Sequence, residues 1–271
     1  MAITPYEQLD AVAAEVASHA RAVLGDDLVG AYVEGSFALG AGDLHSDVDF
    51  IVVMRTALTP SGEQQLRAFH RELPTRSEHW AQHVEGSYAL LEDLLDPAGV
   101  GRQWLFIDHG HQEMTWDKHG NDMVHRWVLR EHGLVLCGPA PEFVVAPVRA
   151  DDLRAEARRE LPELSAGLRG WLDYDIAWCQ RYLVINYCRV LCTLVTGTVA
   201  SKQQALKWAA RTLDPSWRPL LEQVIADRSR GFDRDDRPRP GALDASFAFE
   251  AYAVDWGEFL DITSVWIGPD H

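Results

Sequence analysis

Hydrophobic and polar positions divide the chain into a first part that contains strand-like runs and a second part that lacks them. Residues 6–24 place aliphatic side chains at helical intervals, which predicts a helix packed against a sheet. Residues 29–33 and 48–53 are short apolar runs rich in β-formers, as is typical of buried strands. Residues 60–73 return to a helical pattern. This order of elements predicts strands that are covered by helices.

The same kind of pattern continues to residue 141. A third strand is predicted around residues 83–90, followed by a helix over 121–132 and a short edge strand over 134–136. Residues 138–141 (Gly-Pro-Ala-Pro) predict a break in regular structure. Together these elements predict a small mixed sheet covered by helices, and therefore an α+β fold class.

From residue 151 onward, strand-like runs disappear and long helical patterns take over. We therefore predict an N-terminal mixed-sheet domain of residues 1–150 and a C-terminal all-α helical bundle of residues 151–271. One long helix is predicted from a stripe of mostly apolar and aromatic side chains spaced three or four apart: Trp171, Tyr174, Trp178, Tyr182, Ile185, Cys188, Cys192 and Val195.

Shorter helices are predicted over residues 202–213, 215–228 and about 244–264. Between the last two lies a charged segment, residues 227–241, which contains prolines and few apolar side chains. A segment of that composition cannot bury much surface, so it predicts an exposed loop.

Composition adds information on the compartment. The chain has 271 residues, of which 47% are hydrophobic, enough for a sizeable buried core. Its longest apolar stretch, residues 183–197, is interrupted by Asn186 and Arg189 and is too short to span a bilayer. The N-terminal residues lack the basic leader of a signal peptide. We therefore expect a cytoplasmic protein that does not bind a membrane.

The net charge bears on the partners. At −16, it argues against a nucleic-acid substrate, because phosphate-rich partners are bound by basic surfaces. The same charge would attract a polycationic ligand into an acidic cleft, although it would equally serve as a solubilising surface. The histidines between residues 109 and 132 have no tight spacing of the kind that zinc ligands show.

The first candidate chemistry lies around the two predicted strands of residues 29–53. Gly35 and Ser36 follow the first strand, and glycine allows the backbone to come close to a phosphate while serine adds a hydroxyl group. Asp47 and Asp49 are two residues apart, so on a strand their carboxylates point to the same side. Two like charges held so close call for a cation between them, and Mg²⁺ favours carboxylate and phosphate oxygens. A magnesium site beside a phosphate-binding turn is therefore predicted.

These residues resemble the signature of the DNA polymerase β-like nucleotidyltransferase superfamily, in which a Gly-Ser turn is followed by an Asp-x-Asp strand. Within it, the chain is similar to the streptomycin/spectinomycin-type aminoglycoside adenylyltransferases. Three further blocks carry that narrower resemblance: VEGSYAL at 84–90, REHGLVLCGP at 130–139 and NYCRVLCTLVTGTVASKQQALKWAARTL at 186–213.

The resemblance implies roles for three more residues. Glu85 matches a carboxylate that lies beside the metal ions and serves as general base, so it joins Asp47 and Asp49 as a catalytic and metal-binding candidate; here Gly86-Ser87-Tyr88 replaces a more β-branched sequence. Lys202 matches a lysine that reaches the nucleotide phosphates, although it could also be solvated in the first turn of a helix. Arg189 matches a nucleotide-binding position, where a structural ion pair is equally plausible.

An aminoglycoside pocket needs carboxylates and aromatic faces, since the ligand carries cationic groups and hydroxyls. Chemically suitable side chains are present in this chain, although core packing is the better explanation for each tryptophan taken singly. The resemblance also places Cys179 near a position at which the family uses an acidic residue for the drug. The suitable side chains are Asp173, Asp175, Trp171, Trp178 and Trp104.

The resemblance implies an enzyme that transfers AMP from ATP to a hydroxyl of a small cationic aminoglycoside, with Mg²⁺ as cofactor and with the helical bundle closing over the catalytic domain. We expect a monomer or weak dimer. Two alternatives remain open at this point. The acceptor could be another small hydroxylated metabolite or natural product, or the protein could be a nucleotide-binding regulator without turnover.

Overall fold

The structure is a computed structural model that describes residues 2–264 of the chain. It divides into two compact units, Met1–Val148 and Arg149–His271. The first contains a mixed sheet with helices, and the second is helical. The α+β fold class is therefore confirmed. Within the described residues, no helix is long and apolar enough to cross a membrane.

The sheet of the first unit has six described strands in the order β5-β4-β3-β2-β1-β6. Strands β2 and β3 are parallel, while the other neighbouring pairs are antiparallel. The parallel pair lies in the middle of the sheet. The strands are β1 (Leu28–Val33), β2 (Val48–Met54), β3 (Val84–Leu90), β4 (Trp104–Ile107), β5 (Thr115–Asp117) and β6 (Leu134–Cys137).

Strand β2 is buried on both faces, which explains its nearly continuous apolar sequence. Phe50 and Val52 belong to one hydrophobic core, and the alternating residues Ile51 and Val53 belong to another. Successive strand residues point to opposite faces, so this strand separates the two cores. The helices of this unit are α1 (Glu7–Leu24), the one-turn α2 (Gly35–Ala38), α3 (Pro60–Glu72), α4 (Leu91–Leu95) and α5 (Met123–His132).

The second unit packs its helices around α7, whose residues from Cys179 to Leu194 are mostly buried. The start of α8 is fixed by a capping box, in which the Ser201 hydroxyl accepts from the Gln204 N–H and the Gln204 side chain accepts from the Ser201 N–H. The helices of this unit are α6 (Ala150–Arg169), α7 (Ala177–Thr196), α8 (Lys202–Thr212), α9 (Arg218–Asp227) and α10 (Ala242–Ser264).

Several sequence-based boundaries differ from the structure. The predicted long helix from Trp171 is wrong at its start, because α7 begins only at Ala177. Residues 170–176 form turns instead, and the Asp173 carboxylate accepts a hydrogen bond from the Asp175 N–H. Strands β4 and β5 were not predicted, since one is four residues long and the other is three exposed residues. The turn after β1 is a one-turn helix that begins at Gly35.

Candidate active site

The candidate site lies where the parallel strands β2 and β3 begin. Asp49 and Glu85 are direct partners in the register of these strands, so their side chains lie next to each other on the same face. Asp47 immediately precedes β2 and is partly exposed. The structure therefore brings together the three carboxylates that sequence and resemblance singled out.

The turn after β1 lies directly against Asp49. The Glu34 N–H donates to the Asp49 carbonyl at 2.9 Å, which joins the end of β1 to β2. Gly35 has a φ of 62°, and a Cβ atom at this position would overlap the Asp49 carboxylate. Glycine is required here both for the left-handed backbone conformation and for the close approach.

Replacement of this glycine tests the contact. We expect Gly35→Ala to lower the free energy of unfolding by about 2 kcal/mol and to abolish activity, because strain and overlap with Asp49 combine. Gly40→Ala is a matched control, since Gly40 has a similar φ of 65° but open space around its missing Cβ. Urea denaturation of both variants measures the difference. Equal destabilisation by the two would contradict a specific contact with Asp49.

Ser36 completes the turn, as residue two of α2. Its Oγ is buried and has no hydrogen-bond partner among the described residues. A buried hydroxyl without a partner is costly unless a ligand or solvent atom satisfies it. The hydroxyl therefore fits a phosphate oxygen as its partner.

Acidic side chains repel one another in this site. Burial and the charges of Glu85, Asp47 and Glu34 raise the pKa of Asp49 well above its usual value. Burial likewise raises the pKa of Glu34 to about 7. Within the described residues, no three His, Cys, Asp or Glu side chains form a ready-made metal-binding group. Magnesium often binds through one or two carboxylates together with water and substrate phosphates, so Asp47, Asp49 and the nearby Glu85 fit such an ion.

An ion pair of Asp122 and His125 lies near the carboxylates of Glu34 and Asp49. The Asp122 side chain caps α5 by accepting from the His125 N–H, and its other oxygen lies 2.7 Å from His125 Nδ1. Burial disfavours both charges, but their attraction outweighs it and raises the pKa of His125 to about 10 while lowering that of Asp122 to about 2. The resulting imidazolium also interacts favourably with Glu34 and Asp49.

Two further histidines contact the candidate carboxylates directly. His109 Nδ1 lies 3.0 Å from Asp47 Oδ1, and His119 Nε2 lies 3.1 Å from Glu85 Oε1. These hydrogen bonds raise the pKa of both imidazoles. The residue spacing does not single out these histidines, because they come from the segments after β4 and β5 and meet the carboxylates only in the folded sheet.

The raised pKa of Glu34 predicts a pH dependence of stability. Between its ordinary pKa of 4.5 and about 7, the folded state binds more protons than the unfolded state, so stability falls as pH rises through that window. The cost of ionising Glu34 reaches about 3 kcal/mol above pH 7. We expect Glu34→Gln to remove this part of the slope in urea denaturation without divalent metal. Exposed Glu78 serves as control, and an unchanged slope in Glu34→Gln would contradict the assignment.

Lys202 and Arg189, the remaining candidates, lie in the second unit. Lys202 is the first residue of α8, and its ammonium lies over the rings of Tyr182 and Phe232 at 5.5 Å and 5.7 Å from their centroids. Arg189 lies in α7 and donates to the Asn186 side-chain oxygen at 3.4 Å. Their roles toward ATP stay predictions.

The structure separates the suggested drug-contacting residues. Trp104 is fully buried and donates its indole N–H to Asp93, so its suggested role toward a drug is wrong. Trp171 is 59% exposed and its ring lies 6.4 Å from that of Trp178 at a tilt of 37°, which leaves an aromatic surface on the second unit. Cys179 is buried and presents no polar group to a ligand.

The sequence of this chain matches known aminoglycoside adenylyltransferases over part or most of its length. Residues 144–239 match the model of the aminoglycoside adenylyltransferase C-terminal domain. The chain is 25% identical to a spectinomycin 9-adenylyltransferase of Staphylococcus aureus over 231 residues, which cover 79% of this chain and 82% of the relative. It is 35% identical over 92 residues to an aminoglycoside (3'') (9) adenylyltransferase of Rhizobium radiobacter, covering 34% and 32% of the two chains.

A solved structure shares the fold. The spectinomycin adenyltransferase AAD(9) from Enterococcus faecialis, crystallised with ATP and spectinomycin, superimposes with a TM-score of 0.64 at 14% identity. The match covers 87% of this chain and 95% of that one. The chain is therefore similar to aminoglycoside adenylyltransferases: its second unit matches their C-terminal domain, and it shares the fold of AAD(9).

Proposed function

We propose that this protein transfers AMP from ATP to a hydroxyl group of an aminoglycoside of the spectinomycin or streptomycin type, with Mg²⁺ as cofactor. The observation that carries the proposal is the register pair of Asp49 and Glu85 beside the Gly35-Ser36 turn. It puts metal-binding chemistry, a candidate base and a phosphate-binding turn at one place. The names of the relatives, which act on spectinomycin and related aminoglycosides, support the acceptor class.

The reaction is a substitution at the α-phosphorus of ATP. The acceptor hydroxyl oxygen forms a new bond to that phosphorus, the bond to the bridging oxygen of the pyrophosphate breaks, and pyrophosphate leaves. The hydroxyl proton goes to a general base, for which Glu85 is our candidate. His119 contacts Oε1 of Glu85, so Oε2 is the oxygen that accepts the proton.

The other residues bind and orient. Ser36 Oγ and the backbone of the Gly35 turn receive phosphate oxygens. Lys202 and Arg189, in the second unit, are our candidates for contributing positive charge to nucleotide phosphates. Asp47 and Asp49 would hold the magnesium ion. When bound, this ion would neutralise phosphate charge and stabilise the leaving group.

The acidic character of the site suits the proposed acceptor. Asp47, Asp49, Glu85 and Glu34 are grouped at the ends of three strands, and the whole chain carries a net charge of −16. Clefts lined by one sign of charge concentrate ligands of the opposite sign. A substrate with several ammonium groups is therefore drawn toward the hydroxyl-activating carboxylate.

One observation favours a second candidate function. Cys179 is buried at the place where the resemblance leads us to expect an acidic residue for the drug. An adenylyltransferase acting on a different small hydroxylated natural product would not need that carboxylate. The departure at Gly86 has a simpler reason, because a Cβ there would overlap the Phe50 carbonyl of the neighbouring strand.

Transfer of label from α-labelled ATP to a panel of acceptors tests the proposal. We expect labelled spectinomycin or streptomycin, released pyrophosphate, and loss of transfer when EDTA removes divalent metal. Label that appears only on other hydroxylated compounds would support the second candidate. ATP binding with no transfer to any acceptor would contradict both and favour a regulator.

A further inference from the structure

The charged segment of residues 227–241 is largely exposed, as its composition predicts, and it also makes hydrogen bonds to α7. The Asp236 carbonyl accepts from the Ala177 N–H at the start of α7, at 3.0 Å. The Asp236 carboxylate accepts from Arg181 at 2.8 Å and from Arg230 at 2.9 Å. The side chains of Arg181 and Asp236 are only 10% and 13% exposed. Ion pairs shielded in this way are stronger than surface pairs.

Arg181 also reaches the residue that precedes Phe232. Its second terminal nitrogen donates to the Gly231 carbonyl at 3.1 Å, and Gly231 has a φ of 62° that turns the chain. One guanidinium therefore fixes both Asp236 and the backbone beside Phe232. We call the ion pair of Arg181 and Asp236 the clasp.

The clasp holds Phe232 against Trp178, with ring centroids 5.4 Å apart in an edge-to-face arrangement. The Phe232 ring nevertheless remains 44% exposed. Its face and that of Tyr182 both lie near the ammonium of Lys202, at 5.7 Å and 5.5 Å from their centroids. Such distances allow cation–π attraction.

We propose that Phe232 and Tyr182 form an aromatic clamp that holds the Lys202 ammonium in position for ATP phosphates, and that the clasp of Arg181 and Asp236 sets this clamp. Lysine has a long stem with high rotamer entropy, and fixing it before the ligand arrives lowers the entropic cost of binding. Phe232, Arg181 and Asp236 are positioning residues in this arrangement. The inference rests on the proposed role of Lys202 in ATP binding.

A double-mutant cycle tests the clamp. We expect Phe232→Leu to weaken ATP binding about two- to fivefold, as for an exposed cation–π contact, and Phe232→Tyr to keep it near the original value. In a Lys202→Met background, Phe232→Leu should cause no further loss, because the ammonium it acts on is gone. Calorimetry gives the ATP affinities, and steady-state kinetics should show a change in KM for ATP with kcat nearly unchanged.

The outcomes of this cycle distinguish the role of Lys202 in ATP binding from the role of the aromatic clamp. An unchanged ATP affinity in Lys202→Met would refute the proposed role of Lys202 and, with it, the clamp. The adenylyl-transfer assay would still test the proposed function independently. If Lys202→Met weakens ATP binding but Phe232→Leu does not, the clamp alone is refuted. A Phe232→Leu effect that persists in the Lys202→Met background, or that appears in the KM of the acceptor instead, would equally overturn it.

The clasp needs its own variants. Asp236→Asn and Arg181→Met should weaken ATP binding as much as Phe232→Leu, and should speed hydrogen exchange of the Ala177 amide. Asp236→Asn keeps the test informative if Arg181→Met does not fold. Arg239→Gln is the matched control, because Arg239 pairs with Asp227 at the other end of the same segment. Faster exchange at Ala177 with unchanged ATP affinity would refute a positioning role for the clasp.

Discussion

Asp49→Asn is expected to abolish adenylyl transfer and at the same time to make the folded protein more stable. Activity should fall at least about 10³-fold, since a ligand of the ion that neutralises phosphate charge is lost. Stability should rise because Asp49 is half-buried beside Glu85, Asp47 and Glu34, whose charges help to raise its pKa, and the neutral amide removes that repulsion. The same substitution is therefore expected to lower activity and to raise the free energy of unfolding.

Label transfer in the presence of magnesium measures activity, and urea denaturation in EDTA at pH 8 measures stability. Asp47→Asn should also lose activity, with a smaller gain in stability because Asp47 is partly exposed and bonded to His109. Asp26→Asn is the control, as an exposed residue outside the site. Near-normal transfer by both Asp47→Asn and Asp49→Asn would refute the metal-binding assignment.

Glu85→Gln is expected to lose the chemical step while it retains ATP binding. A general base contributes about 10²–10⁴-fold, so kcat should fall by that factor. The amide oxygen can still accept a hydrogen bond from His119, which now contacts Glu85 at 3.1 Å, and the strand register with Asp49 is unaffected. The loss should therefore appear in kcat, with the ATP affinity within about twofold of the original.

Single-turnover kinetics with prebound ATP separate the chemical step from binding and product release. Glu92→Gln is a matched control because Glu92 is an exposed glutamate of the same unit. A normal turnover number would discard Glu85 as the base. Recovery of the activity of Glu85→Gln at high magnesium concentration would instead assign Glu85 to metal binding.

The sequence predicted those parts of the site that lie on regular elements. The apolar run after Asp49 identifies a buried strand, and the block at residues 84–90 identifies its neighbour, so the meeting of Asp49 and Glu85 follows once the strands pair. Thr59 likewise caps α3, where its hydroxyl accepts from the Gly62 N–H, and a threonine directly before a proline is a local signal of a helix start. Such features depend on local patterns that the chain itself displays.

The parts that escaped prediction depend on irregular segments. His109 and His119 reach Asp47 and Glu85 from the chain around the short strands β4 and β5, which have too few residues to show a period. The segment of residues 227–241 is largely exposed, as its composition predicts, but the pairing of Asp236 with Arg230 and with Arg181 of α7 was not predicted. Composition shows that a segment is charged, but it does not show whether those charges form ion pairs.

The burial of β2 on both faces has a consequence for how this enzyme diversifies. The strand that contains Asp49 also contributes Phe50 and Ile51 to two different cores. Substitutions at most of its positions are therefore expected to lower stability, activity or both. Sequence change is therefore expected to spare this strand and to accumulate instead at exposed positions such as Trp171.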